Sequence, residues 1–105
     1  MIIQFDEYEF NGFKYNEEIF VLCDDVAKFI GTIRSNTIIH EIYKMYDNKF
    51  DDYKIKLYIF NYNKRVHINW KSVLYITMKY NYDKYTKYRD ILEKNLDYKE
   101  ILENE

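Results

Sequence analysis

The spacing of apolar positions changes several times along this chain, and each change marks an element. Ile2 to Phe5 and Tyr8 to Phe10 have an extended pattern, Asn11-Gly12 is a turn signal, and Phe13 to Tyr15 returns as a strand. Asn16-Glu17-Glu18 turns the chain again into the apolar run Ile19-Phe20-Val21-Leu22. The segment up to Leu22 therefore predicts an antiparallel β-meander. Helical spacing follows. Cys23 or Asp24 opens a short helix with Val26, Phe29 and Ile30 on one face, and Gly31 is placed to stop it. Beyond Thr32-Ile33-Arg34, Ser35 or Asn36 is placed to cap a second helix whose Ile38, Ile39, Ile42, Tyr43 and Tyr46 recur every three or four residues. Two helices across a tight glycine-containing turn give a helix-turn-helix-like outline.

Asp47 to Asp52 is a polar loop. Tyr53 to Phe60 alternates, with Lys54 and Lys56 opposite Ile55, Leu57 and Ile59, which predicts a strand. Asn61-Tyr62-Asn63-Lys64 predicts a turn, and Arg65 to Ile68 returns to complete a second hairpin with a basic, aromatic tip. Asn69 is placed to cap a helix from Trp70 to about Tyr80 with Val73, Leu74, Thr77 and Met78 inward. Asn81-Tyr82-Asp83 breaks it. A last helix from about Lys84 to Leu96 faces inward with Tyr88, Ile91, Leu92 and Leu96. The order of elements predicts one α+β domain over residues 1–105, with antiparallel hairpins and about four helices.

Composition narrows the class. Apolar residues make up 48% of the 105, enough for a folded core, and no apolar run approaches the ~20 residues of a membrane span. The lone Cys23 forms no intramolecular disulfide, which fits an intracellular site, cytoplasm or nucleus. Thirteen Lys against three Arg, with fourteen Ile, ten Asn and no Pro, is the bias of an AT-rich genome, and it accounts for much of the Tyr and Asn. The net charge of −2 conceals a layout in three blocks: residues 1–27 sum to −6, residues 28–89 to +8 and residues 90–105 to −4. The central block has the sign of a phosphate-binding footprint, unless the acidic ends fold over it.

No nucleophile with a base, phosphate loop or metal cluster stands at a diagnostic spacing, so neither an enzyme nor a metal or cofactor site is expected. His40, His67 and Cys23 are too scattered for zinc. Cys23 reads as a packing residue, and Asp24-Asp25 as acids at a helix start, where the dipole favours them. The binding candidates form two groups. Arg34, Ser35, Asn36, Thr37, His40 and Lys44 lie at the start and on one face of the second helix, where Arg and Asn read base edges and Ser and Thr hold phosphate. Lys54, Lys56, Asn61, Tyr62, Asn63, Lys64 and Arg65 lie on the later hairpin, as a wing against phosphates or as a charged edge that discourages aggregation.

Several strings resemble the Bro-N domain, an N-terminal DNA-binding module of large DNA viruses of insects and of phages. Phe10-Asn11-Gly12, Ile19-Phe20-Val21 and Asp25-Val26-Ala27-Lys28-Phe29-Ile30-Gly31 look like that family's opening strands and its aspartate-valine-alanine helix with closing glycine. Ile68-Asn69, Val73-Leu74-Tyr75-Ile76 and Lys87-Tyr88-Arg89-Asp90-Ile91-Leu92 are similar to its closing pair of helices, so that the resemblance spans roughly residues 8–96. Asn81-Tyr82-Asp83 departs from the family's Ser- and Pro-containing loop, and Tyr88 stands where a Trp is common. The resemblance implies a viral DNA-binding domain in the host cytoplasm or nucleus. Two other uses of the surface stay open: a module that binds a host or viral protein through exposed Tyr, and a homodimer paired along Ile2 to Phe5.

Overall fold

A computed structural model describes residues 1–15, 17–47, 60–62 and 65–96. Five strands and five helices occur among them. The strands are β1 (Ile2–Phe5), β2 (Tyr8–Tyr15), β3 (Glu18–Leu22), β4 (Phe60–Tyr62) and β5 (Arg65–Asn69). They form one antiparallel sheet in the order β1-β2-β3-β5-β4. The α+β class expected from the sequence is the class observed. The predicted strand from Tyr53 lies outside the described residues except for its last residue, Phe60.

Gly12 is not in a turn: β2 runs straight through Asn11-Gly12. A β-carbon at Gly12 would collide with the Phe20 carbonyl of the neighbouring strand, so the glycine serves a close approach between β2 and β3. The turn before β2 is made instead at Asp6, whose φ of 53° is one that Asp tolerates. Similarly, Asn61 and Tyr62 are strand residues, paired with Val66 and Arg65, and not the predicted turn.

Ile19-Phe20-Val21-Leu22 reads as an unbroken apolar run because both faces of β3 are buried. Ile19 and Val21 join Phe10 and Ile68 in the main core, against the helices. On the opposite face Phe20 stacks on Phe13 with ring centres 5.6 Å apart, and His67 lies 5.0 Å from Phe13.

Helix α1 (Cys23–Ile30) turns Val26, Phe29 and Ile30 into that core and ends at Gly31, whose φ of 80° favours glycine. Its last carbonyls are capped from across the chain, since the Asn81 amide donates to Ile30 O at 2.8 Å and the Lys84 ammonium donates to Phe29 O. Helix α2 (Ser35–Asp47) buries Ile38 and Ile42, but Tyr43, expected on the same face, is exposed. Helix α3 (Trp70–Tyr80) starts where predicted, with the Asn69 side chain accepting from the Ser72 N–H at 3.0 Å. Its inner face is Val73, Leu74, Ile76 and Thr77; Met78, predicted inward, points to solvent because the sheet and its helical neighbours meet the other side.

The predicted last helix is two, α4 (Tyr82–Lys87) and α5 (Arg89–Leu96), broken at Tyr88. Tyr88 is buried among Phe5, Tyr8 and Phe29, and its hydroxyl donates to Asp6 at 2.8 Å. That anchorage to β1 and the β1–β2 turn overrides helical continuity. It also pushes the Tyr88 phenol up to about 12, because the Asp6 carboxylate accepts its proton in a hydrogen bond. Leu92 is fully buried, whereas Ile91 is exposed, contrary to the predicted face. The Trp70 indole donates to Leu92 O at 2.6 Å and so ties α5 to the start of α3.

Candidate nucleic-acid interface

The second helix owes its solvent face to the spacing of its isoleucines. With Ile38 and Ile42 against α1 and α3, positions 36, 37, 40, 43 and 44 are left outward. Asn36, Thr37, His40, Tyr43 and Lys44 are all exposed. Glu41, the acid nearest this stripe, is turned inward and buried. It accepts from Lys79 of α3 at 2.5 Å and lies 3.7 Å from Lys44. The hydrogen bond from Lys79 is the main reason its carboxyl is held below the usual carboxylate range. Consequently the outer face of α2 from residue 34 to residue 44 carries no exposed carboxylate.

At the start of this helix three elements meet. Lys28 on α1, Arg34 and Ser35 at the entry to α2, and Arg65 at the start of β5 line one open depression together with Asp24 and Asp25. Arg34 is exposed, and its carbonyl accepts from the N–H groups of Thr37 and Ile38 at 3.0 and 3.2 Å, so the backbone of Arg34 starts the helix. Ser35, expected as a cap or phosphate ligand, is the first helical residue, and its hydroxyl donates to Asp24 at 2.5 Å. Arg65 also reaches Asp24, at 3.5 Å. Asp25 accepts from the backbone N–H and the side-chain amide of Asn11 at 2.8 and 3.0 Å, which fixes α1 to β2.

Of the residues singled out in the sequence, Arg34, Ser35, Asn36, Thr37, His40 and Lys44 thus share one helix, and Arg65 joins them across the fold. Asn61 and Tyr62 lie in β4, next to Arg65 in the ladder. Lys54, Lys56, Asn63 and Lys64 lie outside the described residues. Sequence reasoning missed Lys28, whose signal was its place opposite Val26 and Phe29 on a short amphipathic helix. It also missed Tyr43, which was assigned to the core, and it read Asp24 only as a residue favouring the helix start.

Burial pushes the Cys23 thiol up to about 12, which favours its protonated form at neutral pH. Among the described residues no three His, Cys, Asp or Glu side chains converge as a metal site, and no helix is long and apolar enough to cross a membrane. The arrangement defines an α+β domain in which the outer face of α2 from Asn36 to Lys44 carries no exposed carboxylate and adjoins a depression lined by three cations and two acids. No family model, curated protein or solved structure matches the chain.

Proposed function

We propose that the chain is a duplex-DNA-binding domain of the viral Bro-N type. In this reading α2 lies against a groove, and the β4–β5 hairpin meets the phosphate backbone beside it. The observation that supports it most directly is the outer face of α2. Every exposed side chain there between Arg34 and Lys44 is a cation, amide, hydroxyl, imidazole or phenol, and none is an exposed acid. An α-helix fits the major groove, Asn36 and Arg34 suit base-edge acceptors and donors, and Lys44 and Thr37 suit phosphate oxygens. Arg65 shares the depression with Arg34, so that hairpin and helix engage one duplex from the same side. The resemblance of residues 8–96 to Bro-N modules supports the same reading.

Salt dependence of duplex binding tests it. Fluorescence anisotropy with a labelled duplex is expected to show affinity falling steeply as salt rises, with a slope set by the number of phosphates contacted. Arg34→Glu combined with Lys44→Glu should weaken binding at least ~10-fold and flatten that slope, whereas Lys94→Glu on α5 should leave both unchanged. A chain that binds no duplex even at low salt, or a double variant that binds as the parent does, defeats the proposal. The first result would favour the protein-binding alternative.

A further inference from the structure

Lys28, Arg34 and Arg65 reach the same depression from α1, the α1–α2 connection and β5. Two carboxylates, Asp24 and Asp25, line it with them. Asp24 accepts the Ser35 hydroxyl at 2.5 Å and the Arg65 guanidinium at 3.5 Å, while its neighbour Asp25 is committed to Asn11. The two acids are therefore not equivalent: Asp25 is a structural tie, and Asp24 is the one that pairs with a cation, Arg65.

The Asp24–Arg65 contact is made through one guanidinium nitrogen, with side chains 59% and 55% exposed on the Arg and Asp sides. Water and salt weaken such a pair. A guanidinium presents a planar fork of donors that suits two oxygens at once, on a carboxylate or on a phosphate. Among the described residues, the single long contact to Asp24 engages one nitrogen of that fork.

We infer that Asp24 is an internal stand-in for a backbone phosphate. In the free protein it holds Arg65 over the depression, and on binding a duplex phosphate takes its place as the partner of Arg65. This rests on the DNA-binding reading and adds to it the residue that sets how strongly the hairpin cation is available. Asp24 has two opposed effects on affinity. It keeps Arg65 directed at the depression, but its hold on the guanidinium must be broken before a phosphate can take it. Because Asp24→Asn keeps an oxygen near Arg65 and removes the charge, the competition between carboxylate and phosphate for Arg65 decides the sign.

The experiment is a double-mutant cycle on duplex affinity with the full chain. Asp24→Asn retains a side-chain oxygen for Ser35 and should bind duplex about three- to tenfold more tightly at low salt, the gain shrinking as salt rises. In the Arg65→Gln background the same substitution should gain less than about twofold, because there is no guanidinium to compete for. In the unmodified chain, the Arg65 Nε–Hε resonance and the Asp24 carboxyl carbon should both shift when duplex is added. Equal affinity of Asp24→Asn and parent, or an undiminished gain without Arg65, overturns the inference while leaving DNA binding intact. Unmoved Arg65 and Asp24 resonances in a saturated complex overturn it as well. A parent chain that binds no duplex at any salt ends both this inference and the reading beneath it.

Discussion

Glu41 shows how a single residue shapes the outer face of α2. Had its carboxylate pointed outward, α2 would present an acid among its groove-compatible groups; instead Lys79 draws it inward at 2.5 Å. The Lys79 hydrogen bond lowers the Glu41 carboxyl in the folded state, so its contribution to stability is complete above the ordinary value of 4.5 and is lost as pH falls through the lowered one. Glu41→Gln should therefore destabilise the domain by about 1 kcal/mol at neutral pH, a figure reduced for the half-exposed Lys79 partner. Thermal unfolding followed at several pH values checks this. The gap between parent and variant should close in acid, and a gap that stays constant from neutral pH to pH ~3 would refute the assignment.

Elements whose identity depends on local pattern were legible in the sequence; those set by distant partners were not. Helix α1 begins at Cys23 and stops at Gly31 as its spacing predicts, and Asn69 caps α3 through a contact only three residues long. The continuity of β2 through Asn11-Gly12 is invisible locally, because the reason for the glycine is the Phe20 carbonyl on another strand. The break at Tyr88 has a similar origin in Asp6, eighty-two residues away in sequence. The two glycines accordingly predict different costs. At Gly31 an added β-carbon meets only the Lys84 ammonium at 3.9 Å, so Gly31→Ala should cost about 1 kcal/mol for its left-handed backbone alone. Gly12→Ala forces β2 and β3 apart and should cost more, at least ~2 kcal/mol. Denaturant midpoints of the two variants give the comparison, and equal losses would contradict the close-approach role of Gly12.

At the scale of the whole molecule, four of the seven acids of the N-terminal block are tied to other elements by hydrogen bonds, while Glu7, Glu9 and Glu17 are exposed. Asp6, Glu18, Asp24 and Asp25 accept hydrogen bonds from Tyr88, Asn69, Ser35 and Asn11, respectively. Of these four, Asp24 is the one that also pairs with a cation of the candidate site, Arg65. Among the described central cations, Lys79 and Lys84 hold helices together, Lys28, Arg34, Lys44 and Arg65 stand exposed around α2, and Lys71, Lys87 and Arg89 are exposed on α3, α4 and α5. The α2 part of this site was legible because its exposed stripe is the complement of its isoleucine stripe. The approach of Arg65 was not, since it spans forty-one residues and depends on β5 pairing with β3. Where a duplex touches the protein is measured directly by backbone amide shifts during titration of the isotope-labelled chain with a short duplex. The predicted result is a contiguous set of shifted amides at residues 34–44 and 65, sparing α4 and α5; shifts centred on α4 and α5, or none at all, would contradict it.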